Sequence, residues 1–262
     1  MNQALLMSLV VFVIAIVMSM VGKGGGTFYV LVMLIFGVAM HEAATTSQLI
    51  MMATSVTAMT VFNKHKKIDW KLALVIDPPT AIMAFVGGYY AGNIDGELLE
   101  IVFVAVLVAV SCFMFISVKE KPIDKVKRFG YWNRSFKNYN YTVNLWLTLP
   151  ITALVGLVSG AIGISGGVFK IPLMVMLCGI PMEIAVGTSS AMVAATAFMG
   201  FMGQNVSGNF NPQFAVPLTI AAVVGGLIGS KCAIKSKPGN LKKIFAITNL
   251  LAAIIMIIQL VK

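Results

Sequence analysis

The chain has 262 residues, of which 59% are hydrophobic and only 11% charged, with a mean hydropathy of +0.94. A soluble domain needs far more charge to cover its surface, so the composition excludes one and points to a polytopic membrane protein, most of it embedded in the bilayer. The net charge of +10 does not signal nucleic acid, because the basic residues sit in short loops between apolar runs, where the positive-inside rule accounts for them.

The first residues, Met1-Asn2-Gln3, lead straight into an apolar run without the basic start or small-residue cleavage site of a signal peptide. The first segment is therefore expected to be a retained span. Ten apolar segments can be read in chain order: 4–21, 27–40, 43–62, 72–91 and 100–118, then 144–162, 168–180, 184–203, 213–231 and 241–261. At about 1.5 Å per residue most of these are long enough to cross a bilayer. Segments 27–40 and 168–180 are too short to cross unaided.

Each short segment comes directly after a glycine-rich interruption. The first reads Gly22-Lys23-Gly24-Gly25-Gly26-Thr27 and the second Gly163-Ile164-Ser165-Gly166-Gly167. Glycine is the poorest helix former after proline, so both stretches should unwind locally. In lipid, unwound backbone survives only inside protein or along a water-filled cavity. Each interruption is expected to place a helix start inside the membrane, where free N–H groups and a partial positive charge suit an anion. The two breaks are expected to face each other and hold a small anionic substrate. The simpler reading is that the glycines only permit close helix packing.

The halves repeat. A shift of 141 brings Gly22, Gly25, Gly26 and Phe28 onto Gly163, Gly166, Gly167 and Phe169, and Glu42 onto Glu183. A shift of 138 brings Pro79 onto Pro217 and Gly87-Gly88 onto Gly225-Gly226. Equivalent loops carry opposite charge. Loop 63–71 holds Lys64, Lys66, Lys67 and Lys71, whereas its counterpart 204–212 holds no charge. Loop 92–99 holds Asp95 and Glu97, whereas 231–243 holds Lys231, Lys235, Lys237, Lys242 and Lys243. Basic short loops mark the cytoplasmic side, so equivalent loops lie on opposite sides. The expected fold is an all-α polytopic membrane protein with two inverted repeats of about five helical segments, each with a Gly-rich break and a short helix. Residues 1–118 form the first repeat and 143–262 the second, with both termini outside. Between them, 119–142 is a basic cytoplasmic loop whose lysines, arginines and aromatics suit lipid head groups.

The breaks, the short helices and the small-polar helices after them resemble the TauE/SafE sulfite exporter family. In the second half the resembling residues run from Gly156 to Gly167, then through Ile171-Pro172 to Ala185-Val186-Gly187-Thr188-Ser189. In the first half they run from Val21 to Thr27 and from His41 to Ser47, with Lys23 inside the break and Val30 departing from the pattern that puts Pro172 in the second half. The resemblance implies a permease for sulfite, organosulfonates or related small anions, in a prokaryotic cytoplasmic (inner) membrane.

Candidate substrate-binding residues are Lys23, Gly24, Gly25, Gly26 and Thr27 at the first break and Ser165, Gly166 and Gly167 at the second. Thr46, Ser47, Gln48, Thr188 and Ser189, near the starts of two long helices, are candidates to donate to substrate oxygens or else to bond their own helix carbonyls. Lys23 either completes the anion site or snorkels to the interface. Lys170 is a candidate electrostatic counterpart. Asp77, before Pro78-Pro79, is an intramembrane acid that either carries a coupling proton or caps a helix restarting after the prolines. Glu42 and Glu183 suit the first turns of their helices. Cys112, Cys178 and Cys232 are far apart, and no His/Cys cluster or repeated Met spacing supports a metal, so neither metal nor cofactor is expected. No phosphate loop supports ATP driving. The expected function is secondary transport of a small anion, coupled to a proton, to sodium or to nothing; the alternatives are an anion channel and an intramembrane enzyme, the latter lacking a base beside a nucleophile.

Overall fold

The computed structural model describes residues 3–114, 129–164, 166–206, 208, 210–241, 243–244, 247–248, 251 and 254. Its elements are α1 (Gln3–Met20), α2 (Gly26–Ile35), α3 (Met40–Lys64), α4 (Trp70–Ala91), α5 (Gly96–Met114), β1 (Tyr131–Phe136), β2 (Tyr139–Asn144), α6 (Leu145–Ile162), α7 (Gly167–Pro172), α8 (Met182–Asn205) and α9 (Pro212–Lys235). Helix α7 runs on into a π-helical turn, Leu173–Leu177. Among the described residues, four helices are long and apolar enough to cross a membrane: α4, α6, α8 and α9. Helix α3 has the length, but Thr45, Thr46, Ser47, Gln48, Thr54, Ser55, Thr57 and Thr60 make it the most polar of the long helices. Most of segment 241–261 and the inter-repeat residues Lys119, Glu120, Lys121, Asp124, Lys125, Lys127 and Arg128 lie outside the described residues.

Local chemistry sets the helix ends. Helix α1 closes on Gly22 at φ 68°, with the Lys23 N–H on the Met18 carbonyl at 3.2 Å, the wiring of a glycine-terminated helix. Helix α6 closes the same way on Gly163 at φ 72°. Helix α4 starts at Asp69, whose carboxylate accepts from the N–H groups of Lys71 and Leu72. Contrary to the reading of Asp77 as a cap, α4 does not restart after Pro78-Pro79 but runs through both prolines. The two prolines remove the N–H groups that would bond the Leu74 and Val75 carbonyls; one residue on, the Thr152 hydroxyl of α6 lies 3.4 Å from the Ile76 carbonyl.

Helix α4 packs against α6 and α8, α1 against α9, and α3 against α8 and α9. Glycines set these close approaches. A Cβ on Gly160 would lie 2.0 Å from the Ala84 carbonyl oxygen, and one on Gly229 2.0 Å from that of Ile16, so the α4–α6 and α1–α9 backbones touch. Two apolar cores result. One gathers α2 with Met7, Val11 and Ala15 of α1, and the other gathers α7 and its π turn with Leu72, Ala73 and Ile76 of α4. The outer faces stay apolar: Val216, Ile220, Val224 and Ile228 form an exposed stripe at four-residue spacing on α9, as lipid contact requires.

The fold is not purely α. Residues 131–142, expected as loop, form with Val143 and Asn144 an antiparallel hairpin in register Tyr131↔Asn144 through Phe136↔Tyr139. Its two-residue turn, Lys137-Asn138, has Lys137 at φ 53°. Tyr141 and Val143 point into the second core. Burial of these two side chains, with aromatic and β-branched neighbours favouring extended backbone, makes the segment a strand pair.

Candidate functional site at the two glycine stretches

The chain leaves α1 at Met20 and enters α2 at Gly26 through Gly22, Gly24 and Gly25, all at positive φ (68°, 75° and 86°). The corresponding passage from α6 to α7 has Gly163 at φ 72° and Gly166 at φ −60°. The two passages touch. A Cβ on Gly26 would lie 2.8 Å from the Gly163 oxygen, and a Cβ on Gly167 3.1 Å from the Gly22 oxygen. Hydroxyls from the two long polar helices lock this contact. Ser47 of α3 lies 2.9 Å from the Gly163 carbonyl and 3.1 Å from that of Gly26. Ser189 of α8 donates to the Gly22 carbonyl at 2.9 Å. Both serines sit about two turns into their helices, where unwound backbone needs donors and acceptors from protein.

The other sequence-predicted residues distribute unevenly. Lys23 is 2% exposed and does not snorkel; its Nζ donates to Thr248 Oγ1 at 2.9 Å. Gln48 donates through Nε2 to the Ser159 carbonyl at 2.9 Å, and its Oε1 has no partner among the described residues. Thr27 and Thr46 are buried with hydroxyls unpartnered among the described residues. Thr188 turns away from the breaks: its Oγ1 accepts from the Asp69 N–H at 3.1 Å. Ser165 lies outside the described residues. Glu42 and Glu183 occupy the first turns of α3 and α8, and Glu183 pairs with Lys67 and accepts from Tyr139 at 3.2 Å.

Beside the second break lies a buried charged cluster. Lys170 of α7 forms an ion pair with Asp77 of α4, donates to Thr196 Oγ1 at 2.7 Å, and the Thr196 hydroxyl lies 3.1 Å from Asp77 Oδ1. All three side chains are buried. A Cβ built on Gly166 would meet Lys170 Nζ at 3.6 Å and Ser159 Oγ at 3.7 Å, so the ammonium lies at the break itself. Taking two charges out of water costs several kcal/mol each, by order of magnitude, so such a pair needs close partners on both groups. Thr196 has no local sequence signal, because its partners are 26 and 119 residues away.

Residues 7–256 match the family described as Sulfite exporter TauE/SafE. The chain belongs to this family. Relatives include the "Probable membrane transporter protein YunE" of Bacillus subtilis, 24% identical over 81% of this chain and 82% of the relative. A second Bacillus subtilis protein, "Probable membrane transporter protein YdhB", is 25% identical over 87% and 89%. A probable membrane transporter protein of Methanocaldococcus jannaschii is 25% identical over 88% and 85%. No solved structure matches the chain. The chain is thus an integral membrane protein and a membrane transporter of the TauE/SafE type.

In this TauE/SafE chain the Lys170–Asp77 pair sits beside the second break. A shift of 141 brings Tyr29 onto Lys170, and Tyr29 instead shares a neutral contact with the Thr54 hydroxyl at 3.4 Å. The two passages share a left-handed glycine at Gly22 and Gly163 but differ at Gly25 (φ 86°) and Gly166 (φ −60°).

Proposed function

We propose that the chain is a secondary transporter of a small anion, sulfite or an organosulfonate, in a prokaryotic cytoplasmic membrane, and that the anion binds where the two glycine breaks meet. The observation that carries this reading is the reciprocal seating of the breaks, Gly26 on the Gly163 carbonyl and Gly167 on that of Gly22. A site assembled from both halves at unwound backbone is what alternating access needs, because one half rocking against the other exposes it to either side in turn. The family's description supplies the class of anion.

The packing pairs support two inverted repeats, 1–118 and 143–262. Under the shifts of 141 and 138, α1 corresponds to α6, α3 to α8 and α4 to α9. Exchanging the halves turns α1–α9 into α6–α4 and α3–α9 into α8–α4, while α3–α8 maps onto itself, and all of these pairs are in contact. The charge on alternate loops supports both termini outside and 119–142 inside.

The test is flux into proteoliposomes with sulfite, methanesulfonate, sulfate and acetate. Saturable uptake of sulfite or the sulfonate, with no hydrolysed product, is expected. Movement of none of them, or of a cation instead, overturns the reading; ohmic flux without saturation would favour a channel.

A further inference from the structure

The Lys170–Asp77 pair has a chemistry that the breaks alone do not explain. Lys170 Nζ is held by Asp77 and Thr196, and a Cβ built on Gly166 would lie 3.6 Å from that Nζ and 3.7 Å from the Ser159 hydroxyl oxygen. Ser159 is fully buried and its Oγ has no partner among the described residues. Among the described residues, the other titratable groups on the long helices around the pair lie in their end turns. Helix α6 has none, and α8 has only Glu183, in its first turn and bound to Lys67. Helix α3 carries His41, Glu42 and Lys64 in its end turns, and α4 itself adds Lys71 beside its start and Tyr89 and Tyr90 in its last turn. Lys23, in the facing break, is turned to Thr248.

We propose that Lys170 is the ammonium that binds the substrate anion and that Asp77 is its resident counter-ion, released by taking up a proton. This rests on the transporter reading above. In the empty site Lys170 and Asp77 neutralise each other. An oxyanion that arrives beside Gly166 takes the place of the carboxylate on Lys170, with the Ser159 and Thr196 hydroxyls donating to its oxygens. Were Asp77 to stay ionised, the loaded site would hold one uncompensated negative charge away from water, which is costly. One proton from the aqueous phase moves onto the Asp77 carboxylate and restores neutrality. Empty and loaded sites then have the same net charge, and each singly charged anion travels with one proton.

The test uses the purified full-length chain in detergent, weakly buffered with a pH indicator, and methanesulfonate, which stays anionic at every pH used. We expect one proton taken up per anion bound, and binding that weakens about tenfold per unit of rising pH above the Asp77 midpoint. Asp77→Asn should bind without proton uptake and without pH dependence. Lys170→Gln should weaken binding at least about tenfold, and the uncharged double variant D77N/K170Q should fold but not bind. Asp77→Glu keeps a titrating group and should shift the pH profile, which serves if Asp77→Asn does not fold. Binding by the wild type without proton uptake, uptake that persists in Asp77→Asn, or an unchanged profile in Asp77→Glu overturns the proposal and leaves the transporter reading standing. If neither sulfite, methanesulfonate nor acetate binds the wild type, the transporter reading falls and this proposal with it.

Discussion

Ser47 lies 2.9 Å from the carbonyl oxygen of Gly163, 116 residues further along the chain. The reciprocal bond comes from Ser189, which donates to the Gly22 carbonyl at the same distance across 167 residues. Each polar helix holds the break of the opposite half. Ser47→Ala and Ser189→Ala should each cost about 0.5–2 kcal/mol, since an interhelical bond within a membrane is worth little more. Because the two breaks touch, the double variant should depart from the sum of the singles. Thermal unfolding in detergent checks this; strict additivity would mean that the breaks are energetically independent.

The hairpin should lie on the cytoplasmic face. Arg134 donates through Nε and Nη2 to Asp69 at 3.0 Å each, and Tyr139 reaches Glu183, itself paired with Lys67. Hairpin, loop 63–71 and the start of α8 are therefore on one side. In a background without Cys112, Cys178 and Cys232, Asn138→Cys should react with impermeant thiol reagents only from the cytoplasm and Gly208→Cys only from outside. Labelling of both from one side would rule out inverted halves.

Asp69 makes hairpin docking pH-dependent. Burial pushes its carboxyl up, but hydrogen bonds from Arg134, Tyr141 and the Leu72 N–H outweigh that, and it is held below the ordinary range. A depressed carboxylate stabilises above its unfolded pKa, about 3.9, and the contribution disappears as pH falls through the lower folded value. Arg134→Ala strands a buried carboxylate, with a loss toward the lower end of about 3–5 kcal/mol. Amide exchange over 131–144 should therefore be much faster in the variant from pH 5 to 8, and the difference should shrink below about pH 4. A difference that persists at pH 3 would assign Arg134 a packing role instead.

Local pattern carried most of what was legible in the sequence. Apolar runs bounded by glycine placed the starts of α1, α2, α6 and α7 within one residue but ran past the ends of α2 and α7, because glycine's φ > 0 and helix propensity are properties of short stretches. Asp77 reads as either a coupling acid or a cap because Asp-Pro-Pro is a local turn signal, whereas its partner Lys170 lies 93 residues away. The hairpin was hidden by its own charges: Arg134 and Lys137 read as a basic loop, and what orders the segment is Asp69 and the core under Tyr141, neither adjacent in sequence.

Some glycines build the site and one shapes its contents. At Gly22 and Gly163, φ of 68° and 72° disfavours any side chain, and a Cβ would lie 2.4 Å from the Val186 oxygen or 2.5 Å from the Ala44 Cα. Gly22→Ala and Gly163→Ala should therefore lower the yield of folded protein as well as transport. At Gly25 a Cβ would fall 2.9 Å from the Tyr29 ring with φ at 86°, so Gly25→Val belongs with them. Gly166 differs: φ is −60°, and its Cβ would meet nothing closer than Lys170 Cε at 3.4 Å. Gly166→Ala should fold with an unchanged melting temperature and fill the space in front of the Lys170 ammonium. The expected result is a KM for anion uptake raised at least about tenfold, since about 1.4 kcal/mol of lost contact suffices, at normal expression. Equal KM in wild type and Gly166→Ala would show that the anion does not bind on that face of Lys170.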